Sequence, residues 1–289
     1  YDVYDGETQD MRLYDPAWAT VSANPDGWSS NGVHLLSPQA PAARGKLTVD
    51  YYTPIRSMEE QWPVRVEGSG DRWTFWFASN FAGRSVLHNL NLSGGTKLDL
   101  YHAQQMLCPN GTVALVGCPK GSVFEPMAVD DTKNQRDTFT LAGTGNETLT
   151  TYFTYHVYQF VSLSGWPVNA TPPTIQSLSR VVLHSDNART ARLKFPSGTR
   201  GGKLLTKISD TMVRTLLANH QSVETDGACE RVGWTGDSQA TCESAVRHLG
   251  MASFYTKVSC KNLLWKNLLP SLRLRKSTLT YFRVIVGLY

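Results

Sequence analysis

Between positions 223 and 237 the chain reads Val223-Glu224-Thr225-Asp226-Gly227-Ala228-Cys229-Glu230-Arg231-Val232-Gly233-Trp234-Thr235-Gly236-Asp237, which sets four carboxylates beside one guanidinium and one indole. Cleaving a glycosidic bond takes two carboxyl groups: one protonated to assist the leaving oxygen, the other ionised to activate water or to attack directly. An indole can offer a flat face to a sugar. The same residues also admit a packing reading, in which Asp237 caps a helix, Arg231 pairs with Glu230 or Glu224, and Trp234 joins a core. No Cys or His spacing in the chain matches a metal site, and no cofactor motif is present, so we expect no metal and no cofactor.

The elements on either side must present this loop. Downstream, Cys242, Ala245, Val246, Leu249 and Ala252 share one helical face, and Asp237 or Ser238 is placed to cap that helix. Upstream, Leu205, Ile208, Met212, Leu216 and Asn219 follow helical spacing after Gly201-Gly202, so a helix is predicted to begin near Lys203. From about Thr48 to Leu183 the texture differs. Runs at 73–77, 86–92, 96–102, 138–141, 148–155 and 157–163 are rich in β-branched and aromatic residues and are broken by Gly, Asn and Pro, the pattern of a β-sandwich. Val86, His88, Leu90 and Leu92 are predicted to face one way, as are Leu98, Leu100 and His102, with Gly94-Gly95 as the hairpin turn between them. His88, His102 and His156 fall inside strands and are read as packed, hydrogen-bonded residues. The first segment, to about Leu47, has neither period and reads as a connector.

Composition bounds the partners. The net charge is +4, but after Glu243 there is no acid, and Arg247, Lys257, Lys261, Lys266, Arg273, Arg275, Lys276 and Arg283 leave the preceding chain mildly acidic. This basic end lacks the amphipathic spacing or stacking platform of a membrane-surface or nucleic-acid binder, so neither partner is expected. No run approaches the roughly 20 apolar residues of a membrane span. Asn91, Asn110, Asn146 and Asn169 stand in Asn-x-Ser/Thr patterns, and Cys108 and Cys118 flank a turn-like Pro109-Asn110-Gly111, either bridged or as two buried thiols. Both features suit secretion. Five cysteines leave at least one thiol unpaired. The chain opens at Tyr1 without a signal pattern, and we expect its true start to lie outside this sequence.

Glu230-Arg231-Val232-Gly233-Trp234-Thr235-Gly236-Asp237-Ser238-Gln239 resembles the catalytic-loop signature of the bacterial α-L-rhamnosidases, glycoside hydrolase family 78. Three upstream blocks are similar to family segments and come in the family's order. They are Tyr4-Asp5-Gly6-Glu7-Thr8-Gln9-Asp10-Met11-Arg12, Phe77-Ala78-Ser79-Asn80-Phe81-Ala82-Gly83 (a strand-turn in the family) and Phe153-Thr154-Tyr155-His156-Val157-Tyr158-Gln159-Phe160-Val161. The resemblance implies a mainly β chain with a helical C-terminal part: the end of an N-terminal module and a connector over 1–47, a concanavalin-like or jelly-roll β-sandwich over 48–185, the start of an (α/α)6 six-hairpin domain over 186–257, and a divergent basic tail over 258–289. It implies hydrolysis of terminal α-L-rhamnose from rhamnosides or polysaccharides with inversion. Glu230 matches the general acid, Asp226 and Asp237 match acids that hold rhamnose hydroxyls, and Trp234 and Arg231 stand beside them.

The match departs from the family in two places. Asp226 and Glu230 are one residue closer than usual, and Gly227-Ala228-Cys229 replaces a segment with proline and arginine, which weakens the carry-over of Asp226. After Lys257 the sequence reads as non-homologous, as from a shifted frame or an intron. The family's general base is a glutamate hundreds of residues further on, so this chain is expected to have little activity by itself. The competing class is a non-catalytic carbohydrate-binding module using exposed aromatics such as Trp73 or Trp76.

Overall fold

Strands form over the middle of the chain because their alternating side chains bury one face of a pleated surface, while Gly, Asn and Pro interrupt the ladder. The structure, a computed structural model, describes residues 6–20, 52–104, 135–227 and 231–258, with short strands at 106–107, 113–114 and 125–126. The first strands are β1 (Thr8–Asp10), β2 (Ile55–Gln61), β3 (Arg65–Ser69), β4 (Arg72–Leu90) and β5 (Lys97–Ala103). The short pieces β6 (Met106–Leu107), β7 (Val113–Ala114) and β8 (Glu125–Pro126) pair among themselves, and β9 (Arg136–Thr140), β10 (Glu147–Thr150), β11 (His156–Ser164) and β12 (Leu178–Ser185) return to the main sheet. The helical part holds α1 (Arg200–Asn219), the two-residue strands β13 (His220–Gln221) and β14 (Val223–Glu224), and α2 (Thr235–His248). Among the described residues no helix is long and apolar enough to cross a membrane.

The main sheet runs β1-β9-β5-β11-β4-β12-β2, with β3 and β10 also on β4. It is one curled sheet closing over a core of Phe75, Phe77, Leu87, Leu98, Leu100, Phe139, Leu163 and Trp166, with further apolar residues from the same strands. Each such fully buried side chain contributes roughly 1.5–3 kcal/mol relative to exposure. The curl is made by β4. Sequence spacing suggested separate strands at 73–77 and 86–92, and the family resemblance implied a strand-turn at 77–83; instead one strand spans them all and bends. Opposite β11, Phe160 pairs Trp76 and Tyr158 pairs Phe81, so residues 77–80 face Gln159 alone. Such a bulge strands backbone carbonyls, and side chains satisfy them: Gln159 Nε2 donates to Phe77 O at 3.2 Å and Arg180 Nη2 to Ser79 O at 3.0 Å. Arg180, 1% exposed, also donates to Tyr158 O at 2.6 Å and to Gln61, and its guanidinium lies 4.6 Å from the Phe77 ring centroid.

Two details of the expected hairpin differ. β4 and β5 are not neighbours, because β11 lies between them. Asn89, at φ 51°, and a register shift between Glu147 and Leu149 break the alternation, so Leu87 and Leu90 both enter the core while His88 turns outward. His88 Nε2 then meets Ser179 Oγ at 2.7 Å and Glu60 at 3.2 Å, with the Trp62 ring 5.0 Å away. Trp76, expected to be an exposed sugar platform, is 8% exposed under the Arg65 guanidinium, 3.6 Å from its ring centroid, and Trp73 is half-buried.

The helix after the sheet starts at Arg200, capped by Thr199, whose Oγ1 accepts from Gly202 N at 2.9 Å. Its buried residues are Gly202, Ser209, Val213, Leu216 and Ala218, whereas Leu205 and Ile208 are 47% and 55% exposed. Of the other residues at helical spacing, Leu216 is buried and Met212 packs against the cluster that holds Leu216, Ala245 and Phe254. The helix carries apolar residues on two sides, and the sheet takes the side with Ala218, against Phe81, Ala82, Tyr155, Val157 and Val182. In α2, neither Asp237 nor Ser238 caps: Trp234 is the N-cap residue and makes no side-chain cap bond. Cys242, Ala245 and Leu249 are buried as expected, but Val246 is 53% exposed and Ala252 is exposed too, because the helix stops at His248 and the chain turns at Gly250 before helical residues 252–258. Cys242 is a free, buried thiol; Cys108, Cys118, Cys229 and Cys260 lie outside the described residues, as do Asn110 and most of the basic tail.

Candidate active site

The carboxylate-rich loop hangs between α1 and α2 on a neck of backbone bonds. At its start, β13 and β14 form a minimal hairpin around Ser222, a residue at φ 68°. That hairpin is pinned to the sheet: Gln221 Nε2 donates to Leu183 O at 2.9 Å, and Ser222 N to Ser185 Oγ at 2.8 Å. Asn219, the last residue of α1, accepts Thr225 N on its carbonyl at 2.9 Å and Gly227 N on its side-chain oxygen at 3.0 Å. The neck then closes through Trp234 N to Glu224 O at 3.0 Å, the bridge of Thr225 with Gly233, and Arg231 N to Asp226 O at 2.7 Å. Satisfying the backbone this way holds a polar loop without regular structure of its own.

Of the residues singled out by sequence, Asp226 is half-buried and Arg231 is buried at the neck, while Trp234 is 42% exposed and Asp237 is exposed at the first turn of α2. Trp234 is thus not core, and Asp237 does not cap. Glu230 lies outside the described residues. Arg231, at φ 53°, is 4% exposed, with its guanidinium 6.0 Å from the Tyr155 ring centroid. Glu224, the fourth carboxylate, is 2% exposed and accepts a hydrogen bond from Thr241 Oγ1. Burial raises its carboxyl above the ordinary range, opposed by the hydroxyls of Thr241 and Ser238 and reinforced by the negative charge of Asp237.

Sequence reasoning did not foresee what lies under this loop. Tyr155 Oη sits 3.3 Å from Thr225 Oγ1, and the next residue, His156, is fully buried with Nε2 donating to Asp137 Oδ2 at 2.9 Å. Asp137 Oδ1 accepts Glu7 N at 3.0 Å, and the Glu7 carboxylate accepts Tyr152 N and Phe153 N, each at 2.9 Å. His102 stacks on His156 with centroids 4.0 Å apart, and its Nδ1 donates to Gln135 O at 3.1 Å, which leaves Nε2 to accept from Ser85 Oγ at 2.9 Å. Ser85 Oγ is in turn 3.0 Å from Tyr158 Oη. Burial drives the His102 imidazole down to about 3 and His156 well below its ordinary value, and it raises the Asp137 carboxyl. The three ligand-type atoms lie within 4.8 Å of one another. Stacked rings do not converge on a shared ion, however, and the hydrogen bonds already engage these atoms. The histidines are packed network members, as their place in strands suggested. The signal was available: Glu7 and the Tyr155-His156 pair sit inside two of the blocks singled out by resemblance.

Residues 67–184 match the model of the bacterial alpha-L-rhamnosidase concanavalin-like domain, and residues 201–262 that of the bacterial alpha-L-rhamnosidase 6 hairpin glycosidase domain. The alpha-L-rhamnosidase of Streptomyces avermitilis is 27% identical over 262 residues, covering 89% of this chain and 22% of its own length. The crystal structure of the S. avermitilis enzyme complexed with L-rhamnose superposes with TM-score 0.69 at 25% identity, over 89% of this chain and 22% of that one. The native enzyme from Aspergillus terreus gives TM-score 0.69 at 28% identity, over 88% of this chain and 27% of that one. The chain belongs to the bacterial α-L-rhamnosidase family and spans about a quarter of the length of these relatives.

Proposed function

We propose that the loop from Glu224 to Asp237 is the acid-bearing side of an α-L-rhamnosidase active site that removes terminal α-L-rhamnose from glycosides or polysaccharides with inversion. The observation that carries this reading is the succession of two domain matches from one family, with Asp226 and Trp234 on the connection from α1 to α2 and Asp237 in the first turn of α2. In this scheme Glu230 protonates the departing glycosidic oxygen while a carboxylate outside the loop activates water on the opposite face of the sugar. Asp226 and Asp237 accept hydrogen bonds from rhamnose hydroxyls, and the exposed face of Trp234 packs on the ring. Arg231, expected beside the sugar, is buried against Tyr155, and we give it a holding role. Secretion fits the exposed turns that carry Asn146 and Asn169.

The test pairs calorimetric titration of the purified chain with L-rhamnose and release of the aryl group from an aryl α-L-rhamnoside. Binding that Asp237→Asn weakens about tenfold or more is the expected outcome, in line with the loss of a charge-assisted hydrogen bond. Any release of the aryl group should be lost in Glu230→Gln, which removes the proposed proton donor. Absence of rhamnose binding, or binding indifferent to both Asp226→Asn and Asp237→Asn, would overturn the reading.

A further inference from the structure

We propose that the β-domain is the positioning element of the acid loop, acting through Tyr155 at the head of β11 and the Asp137–His156 pair beneath it. The proposal rests on the rhamnosidase reading of that loop and assigns roles to residues outside the hairpin that carries it.

Three consecutive residues of β11 and its approach meet the loop or its support. Tyr155 offers its hydroxyl to Thr225 and its ring to the Arg231 guanidinium. Val157, two residues on and therefore on the same face, closes against Gly227: a Cβ at 227 would lie 2.9 Å from Val157 Cγ2, 3.2 Å from Ala218 O and 3.3 Å from Asn219 Oδ1. Glycine at 227 is what allows the loop to come this close. His156 points the other way, into its hydrogen bond with Asp137, and thereby fixes the strand end from which Tyr155 and Val157 project. The Arg231 charge is felt by Asp137 and by both stacked histidines, so the negative centre of the network faces the one buried cation of the loop.

The consequence falls on the next residue along the chain. Arg231 follows Glu230 directly, and neighbouring Cα atoms are about 3.8 Å apart, so anchoring Arg231 anchors the root of the proton donor. Arg231 is anchored by its N–H on Asp226 O, by its positive φ and by its buried side chain. Displacement of a catalytic group by about 1 Å is enough to cost two orders of magnitude in rate. A rigid strand end is therefore a better foundation for the donor than the loop itself.

Amide hydrogen exchange on the full chain tests this. Tyr155→Leu removes the ring and the hydroxyl; we expect exchange at Arg231 and Trp234 to accelerate about tenfold or more, and that at Val161 and Leu163 in mid-β11 to stay unchanged. Tyr155→Phe keeps the ring and should restore slow exchange at Arg231 while leaving Thr225 fast. If Tyr155→Leu folds poorly, Asp137→Asn supplies the second arm, with loosening again confined to the loop. Unchanged loop exchange, or acceleration spread evenly over sheet and loop, would refute the positioning role. Rhamnose titration separates the two claims. Loop loosening in a chain that never binds rhamnose sinks the rhamnosidase reading alone, whereas full rhamnose affinity in Tyr155→Leu sinks the positioning role alone.

Discussion

Lowering the pH from 7 to 5 should destabilise this protein steeply, and the histidines show by how much. His102, His156 and His220 are all buried; burial lowers them from 6.5 to about 3 for His102, to about 4 for His220, and well below the ordinary value for His156. A histidine whose folded pKa is depressed contributes stability above the unfolded value of 6.5, and that contribution drains away as pH falls towards the folded value. At pH 5 the unfolded chain holds the protons of His102 and His220 and the fold holds few of them. Each such proton costs about 1.4 kcal/mol per pH unit below the unfolded value, so these two together approach roughly 4 kcal/mol at pH 5, and His156 acts in the same direction. Asp137 and Glu224 work the other way: their carboxyls are raised, so their contributions grow as pH falls and reduce the net loss. We expect a net loss of roughly 3–6 kcal/mol, a large part of the 5–15 kcal/mol typical of a folded protein. Urea denaturation followed by tryptophan fluorescence at pH 7 and pH 5 reads it directly. His220→Asn leaves an acceptor for Asn187 Nδ2, which now lies 3.3 Å from His220 Nδ1, and should remove about a third of the pH dependence. A urea midpoint that stays level between pH 7 and 5, or a slope that His220→Asn leaves untouched, would refute the reasoning.

Two further substitutions probe the supports of the site. Gly6 stands at φ +83°, and a Cβ there would lie 1.9 Å from Arg136 O, so Gly6→Ala should cost roughly 2–3 kcal/mol and lower the thermal midpoint by prising Glu7 from Asp137; an unchanged midpoint would contradict this. Glu224→Gln keeps a partner for Thr241 and removes a buried acid whose carboxyl is raised, so it should stabilise the chain more at neutral pH than near pH 4. Equal effects at both pH values would show that Glu224 is not the titrating group.

Period and composition revealed the order of the architecture but not its joins. The runs of alternate apolar residues became strands and the 3.6-period segments became helices, because each pattern is a local property of side-chain spacing. What failed were the features decided by contact between distant segments. The bend of β4 depends on Gln159 and Arg180 reaching the carbonyls of Phe77 and Ser79, partners 82 and 101 residues away. The helical spacing of α1 holds Leu216, which is buried, together with Leu205 and Ile208, which are exposed, because neighbours that the linear pattern does not name decide which part of the helix is covered.

By itself the sequence determined which residues could do chemistry: the carboxylates of the loop, the indole beside them and the blocks that mark a rhamnosidase. Chemical type and spacing along the chain are enough for that. Only the tertiary structure decided which of these residues face solvent and which are held. Trp234 and Asp237 lie open while Arg231 is buried against Tyr155. It also showed that Tyr155, which touches Thr225 of the loop, is followed by His156 of a buried hydrogen-bonded chain that runs through Asp137 to Glu7. The physical reason is that burial and charge pairing depend on which surfaces meet, and those surfaces come from segments that lie from 19 to 130 residues apart along the chain.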